Sequence, residues 1–279
     1  MKRTIFLILI LASVSSCSGD RDSAGTITDV PALEARSYDV HIFYYPWYAN
    51  PQVDGEYRWW TGTPANDPRG SVSHQGGTDI ASSFFPAYGP YSSADPNIIK
   101  SHIDQIAAAK IGTICVTWWD ADSLASAPVK GIMDTAAVSN LKVCFRIEVS
   151  EGATATDVMR QVCHLIDTYG GHKAFYISDR FGKRPIFYIG GSWLIEVDDW
   201  ASCLTGTGSG SVRGTPYDAL FIGVWKDEKD GERLEQAGFD GFYTWFAARG
   251  ASWGSDAANF QEMNLFAMDS ELLFIPTVS

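Results

Sequence analysis

Residues 95–119 read DPNIIKSHIDQIAAAKIGTICVTWW, and two periodicities meet inside them. Asp95 followed by Pro96 has the form of a helix N-cap with proline in the first turn. Ile99, Ile103 and Ile106 then recur at i, i+4 and i+7, lining one face of a helix that Gly112 is expected to stop. Over residues 113–118 the helical period disappears. Thr-Ile-Cys-Val-Thr-Trp is short, rich in β-branched residues and apolar almost throughout, as expected of a parallel strand covered on both faces.

The same alternation extends in both directions. Strand-like runs lie at residues 40–45, 113–118, 142–148, 185–189, 219–225, 241–246 and 272–278. Thr156-Asp157 opens a second helix, with Val158, Val162, Leu165, Ile166 and Tyr169 on its buried side and Gly170-Gly171 after it. A third, weaker helical pattern runs from about Glu228 to Ala237, before Gly238. Strand and helix in turn mean α/β, and a (β/α)8 barrel is preferred to a doubly wound sheet. Trp47, Trp118, Glu148, Trp225 and Trp245 fall near the carboxyl ends of different strands, where barrels build their sites. No GxGxxG follows the first strand. The glycine-rich run 206–210 precedes a strand and reads as a loop.

The 279-residue chain carries a net charge of -12, which argues against nucleic acid as a partner, because phosphate binding needs a basic footprint. Met1-Lys2-Arg3 and the apolar residues 5–12 have the form of a signal segment too short to span a bilayer. Val14-Ser15-Ser16-Cys17 resembles a bacterial lipobox, in which Cys17 is cleaved and lipidated; the other reading is a plain secretory signal cleaved nearby. The expected organisation is a signal peptide at 1–17, a polar tether at 18–37 and a barrel domain at 38–279, placed outside the cytoplasm. Cys115, Cys144, Cys163 and Cys203 show no zinc spacing, so no metal or cofactor is expected. Cys115 and Cys144 lie in apolar runs and read as buried thiols; sequence alone pairs none of the four.

FYYPWY at 43–48 stacks five aromatics around Pro46 where a strand gives way to a loop. Rings at a barrel mouth can lie on the apolar faces of sugars while their polar tips reach hydroxyls. Trp118-Trp119 and Tyr243-Thr244-Trp245 would add to such a cleft. Glu148, closing FRIE at 145–148, is either an acid, base or hydroxyl acceptor, or half of an ion pair with an arginine; strand alternation is taken to exclude Arg146 as that partner. His41 and His74 are isolated in the sequence and read as structural.

A series of ordered blocks then resembles one family, glycoside hydrolase family 99, the endo-α-1,2-mannosidases and mannanases. The blocks are FYYPWYANPQVDGEY (43–57), SSFFPAYGPYSSADP (82–96), IGTICVTWW (111–119), LKVCFRIE (141–148), GGHKAFY (170–176), RPIFYI (184–189), TPYDALFIG (215–223), AGFDGFYTWFAARGASWGS (237–255) and LLFIPTVS (272–279). The resemblance implies a (β/α)8 barrel and internal, metal-independent cleavage of α-mannosides linked through O2 in mannose-containing glycans. It also implies that Tyr48, Trp118, Glu148, Tyr188 and Tyr243 line the sugar subsites.

The departures from the family are specific. Two histidines usual after the DGxY block are absent from residues 57–62, a common tyrosine is Gly190, and the residues flanking Ile147-Glu148 are Arg146 and Val149 where His and Pro are usual. The family pattern continues to an eighth strand and an N-E-W-H-E-G-like loop with two working glutamates; this sequence ends at Ser279. The expectation is therefore an incomplete barrel lacking the eighth strand and its catalytic loop, and an inactive chain of hydrolase lineage. The alternative is a catalytically silent mannan-binding protein. A bacterial envelope lipoprotein or secreted protein is the expected setting, with a Golgi lumen as the alternative.

Overall fold

An apolar run covered on both faces needs a helix layer on one side and other side chains on the other, and the chain supplies both in order. A computed structural model describes residues 35–60, 85–245 and 250–278. Cys17, residues 1–34, His74 and Phe246 lie outside the described residues. Seven parallel strands follow one another in chain order: β1 Ser37–Tyr44, β2 Ile111–Trp118, β3 Lys142–Glu148, β4 Arg184–Gly190, β5 Leu220–Trp225, β6 Gly241–Thr244 and β7 Leu273–Ile275. The longer helices between them are α1 Pro96–Ala108, α2 Val129–Val138, α3 Ala155–Tyr169, α4 Val197–Leu204, α5 Asp230–Ala237 and α6 Phe260–Asp269. A two-residue strand, Ile177–Ser178, pairs antiparallel with the start of β4.

The sheet is curled. Phe43 of β1 lies 5.5 Å (ring centroids) from both Tyr188 of β4 and Tyr243 of β6, contacts that a flat sheet forbids. Among the described residues β1 and β7 are the two ends of the hydrogen-bonded order, so the barrel is open between them. Side chains alternate across the sheet. Ile114, Val116, Phe145, Ile147, Phe187 and Phe221 face the helices, while Cys115, Cys144, Tyr188, Ile222 and Tyr243 fill the inside. Cys115 and Cys144 stand opposite one another in register, buried and unpaired.

Local chemistry explains most of the element boundaries. Asp95 caps α1, accepting from the Asn97 amide, and Ile99, Ile103 and Ile106 are buried as the period requires. The cap of α3 is Thr154, two residues before the expected start. Its hydroxyl accepts from the Asp157 amide while the Asp157 carboxylate accepts from the Thr154 amide, a reciprocal capping box.

Gly112 is not the helix stop. Helix α1 ends at Ala108, and Gly112 is the second residue of β2, where a Cβ would overlap the Ser37 carbonyl of β1. The glycine is there for strand approach. Helix α5 begins at Asp230, two residues later than expected, and ends at Gly238 in the left-handed region, φ 84°. Strands β6 and β7 stop at Thr244 and Ile275, short of the apolar runs that contain them.

The amino-terminal rim of the sheet is closed by charge. Arg213 donates from Nε to the Leu204 carbonyl, from Nη1 to Asp218 and the Ala219 carbonyl, and from Nη2 to the Gly238 carbonyl and Asp240. Arg184 reaches the same Asp240 at 3.0 Å.

Candidate functional site

The opposite, carboxyl-terminal rim carries the aromatic residues. Pairing in β1 ends at Tyr44, and Pro46 leads the chain into the loop that carries Trp47 and Tyr48. Trp47 stacks nearly parallel on Trp119 (centroids 5.1 Å, 16°), on Trp59 at 5.3 Å, and lies 4.6 Å from Tyr45. Trp59 closes the group 5.7 Å from Trp119 and holds a left-handed φ of 65°, rare for a bulky residue. All four rings keep some solvent access, and Tyr45 is 40% exposed. Tyr48 belongs to the adjoining wall. It packs 4.2 Å from Trp60 and 5.7 Å from Tyr91, with its amide donating to the Ser93 hydroxyl at 3.1 Å.

Across the opening, Trp193 and Trp245 meet edge to face at 4.8 Å. Lys226 sits 5.3 Å above the Trp193 ring, and the Arg146 guanidinium 5.6 Å from Trp245.

Glu148 stands between these two aromatic groups, at the end of β3. Strand β3 puts Cys144, Arg146 and Glu148 on the inner face. Residues two apart share a face, so alternation makes Arg146 the partner of Glu148, contrary to the sequence expectation. Arg146 Nη1 donates to Glu148 Oε1, and Arg146 Nε donates to the Tyr243 hydroxyl at 2.9 Å. Burial pushes the Glu148 carboxyl above its usual range, and the adjacent guanidinium pulls it back only in part. For Arg146 burial works against the charge, but the Tyr243 hydroxyl and the Glu148 carboxylate outweigh it and hold the guanidinium firmly protonated.

The five expected site residues separate into three environments. Glu148 is at the mouth and Tyr48 on its wall. Tyr243 lies directly beneath, fully buried, supporting Arg146; Tyr188 lies deeper still, donating to His41 Nδ1 at 2.8 Å. His41, isolated in the sequence, is thus drawn into the interior layer, its other ring nitrogen facing the Tyr38 carbonyl at 3.1 Å.

Trp118 is the correction. It is 1% exposed and points into the helix layer, where its indole N–H donates to Gln161 at 3.0 Å and its ring stacks on His164. Trp225 is likewise packed outward, against Phe242, Trp253 and Phe266. The tryptophan that reaches the mouth from this segment is Trp119, one position on. The parity of β2, set by Cys115 facing inward, is the signal that assigns it.

The sequence profile of Glycosyl hydrolase family 99 matches residues 35–279. The chain belongs to glycosyl hydrolase family 99. Relatives within family 99 include a zebrafish (Danio rerio) glycoprotein endo-alpha-1,2-mannosidase-like protein, 41% identical over 255 residues, a match covering 86% of this chain and 58% of that protein. The rat (Rattus norvegicus) glycoprotein endo-alpha-1,2-mannosidase is 39% identical over 273 residues, covering 92% and 58%. This chain therefore spans less than two thirds of the length of either. The solved family 99 endo-alpha-mannosidase of Bacteroides thetaiotaomicron superposes with a TM-score of 0.78 at 39% identity, covering 88% of this chain and 72% of that one. The curled seven-stranded sheet with its helices is the family's (β/α)8 fold, open in this structure between β1 and β7.

Proposed function

We propose that this family 99 chain is a glycoside hydrolase of endo-α-1,2-mannosidase type, directed at internal α-mannosidic linkages of mannose-rich glycans, and that residues 1–279 by themselves bind such a glycan without cleaving it. One observation carries the second half. Among the described strands Asp39 and Glu148 are the only carboxylates; Asp39 lies near the amino end of β1, and Glu148 is tied to Arg146. Glycosidases of either stereochemical outcome work with two carboxyl groups flanking the bond, one free to give up or take a proton. A carboxylate locked to a guanidinium suits a hydroxyl acceptor better than an acid. That arrangement equally favours the second reading, a catalytically silent glycan-binding protein.

The paired aromatic walls support a neutral, ring-shaped ligand. The expected result is no release of mannose-containing fragments from an α-1,2-linked mannan by purified residues 18–279, since loss of a catalytic carboxyl costs several orders of magnitude in rate. Protein-dependent release of a disaccharide or larger fragment would overturn this. We further propose an extracytoplasmic location with Cys17 lipidated. Cys17→Ser should then move the protein from the membrane to the soluble fraction, because acyl chains on the cysteine are the anchor. Unchanged fractionation would exclude it.

A further inference from the structure

The floor of the cleft has a gap in it. Glu148 and Gly190 face each other in register on β3 and β4, and Gly190 presents no side chain there. A Cβ at residue 190 would lie 2.5 Å from Glu148 Oε2 and 2.7 Å from Arg146 Nη2. Those two atoms therefore border the same notch. They are also the two that the ion pair leaves over. Arg146 uses Nη1 on Glu148 Oε1 and Nε on Tyr243, while Nη2 and Oε2 have no hydrogen-bond partner among the described residues. Arg146 is 6% exposed and the Glu148 side chain 18%, so both are held rigidly with only their tips reachable.

A donor beside an acceptor, at the bottom of a cleft walled by aromatic rings, is a small recognition surface of defined polarity. The pair is neutral overall. An anionic substituent would meet Glu148 and a cationic one would meet Arg146. Two neighbouring hydroxyls satisfy it, one donating to Oε2 and the next accepting from Nη2, both through charge-assisted bonds.

We propose that Arg146 Nη2 and Glu148 Oε2, exposed by the absence of a side chain at Gly190, form a fork that reads a vicinal diol on the sugar ring seated on the cleft floor. Arg146 and Gly190 are then specificity-determining residues. The inference rests on the mannoside reading above. The fork accounts for why a buried arginine is left with unused donors, which a purely structural ion pair would not require. Burial places the Glu148 carboxyl above the ordinary range, so the acceptor half of the fork should switch off on mild acidification, before an ordinary surface carboxylate would.

The test is calorimetric titration of the 18–279 chain with α-1,2-mannobiose and with its monodeoxy analogues at each free hydroxyl of the non-reducing ring. Two adjacent deoxygenations are expected to raise Kd about tenfold or more each, the others much less. Arg146→Lys keeps the charge opposite Glu148 but not the planar fork, and should erase discrimination at one of the two positions. Gly190→Ala puts a methyl group in the notch and should erase both. Circular dichroism and thermal melts check that each variant folds. A deoxygenation pattern with no adjacent pair, or one unchanged in both folded variants, overturns the fork while leaving the mannoside reading intact. Failure of the wild-type chain to bind α-1,2-mannobiose at all overturns both.

Discussion

Trp118 and Trp119 are neighbours in the chain and opposites in the molecule. Trp118 is sealed between β2 and α3, its N–H bonded to Gln161 and its face on His164. Trp119 lies at the mouth, stacked on Trp47 and Trp59 and partly open to water. One residue step along a strand exchanges the faces of a sheet, and here it separates a ring that holds the fold from a ring free to hold a ligand. The difference lies in what surrounds each indole, since the side chains are chemically the same.

That contrast can be broken by experiment. Trp118→Ala should cost about 3–5 kcal/mol of stability, as a large core truncation leaves a cavity behind. Urea unfolding measures it, and a loss under about 1 kcal/mol would show that Trp118 is not a core residue. Arg146→Met probes the inner face. Leaving Glu148 buried without its counter-charge should cost about 3 kcal/mol near neutral pH.

The pH dependence of that loss has a definite sign. Burial holds the folded-state Glu148 carboxyl above its unfolded value. Between the two values the folded chain binds more protons, so the Glu148 contribution to stability falls as pH rises through that window. Removing the guanidinium lifts the carboxyl further. The Arg146→Met defect should therefore shrink on acidification, and a defect that grows at low pH would contradict the pairing. Trp119→Ala should be smallest in stability, under about 1 kcal/mol, yet abolish any mannoside-induced quenching of tryptophan fluorescence. Quenching that survives Trp119→Ala would move the ligand away from the Trp47 wall.

Much of this arrangement was legible in the residues. The β2 and β3 runs and the isoleucine stripe of α1 declare themselves because both faces of the strands are buried and one face of the helix is. The same double burial hides which face is which. A strand apolar on both sides gives no parity signal, so Trp118 and Trp225 read as site residues until Cys115 and Phe242 fix the inside and the outside. Glu148 was legible as a chemical group, whereas its bond to Arg146 needed the two-residue repeat applied correctly. Helices α2, α4 and α6 leave little trace in the sequence because their capping signals are weak. Pro128 and Asn259 cap α2 and α6 from helical backbone without a side-chain bond, and Glu196 makes none at α4. The missing side chain at Gly190 is legible as a departure from the family, but that it opens a notch beside Arg146 and Glu148 is not, since this is a relation between β3 and β4.

The arginines at the two rims of the sheet have different futures under mutation. Arg213 has five N–H groups and five acceptors, drawn from the ends of α4 and α5 and the starts of β5 and β6, so almost any replacement strands several buried carbonyls at once. Arg146 keeps three of its five N–H groups uncommitted, the two on Nη2 beside an empty position. Descendants of this chain can therefore exchange residues 146 and 190 together and retune the sugar they favour, while the rim beneath stays fixed. Innovation at one end of the barrel is made tolerable by immobility at the other.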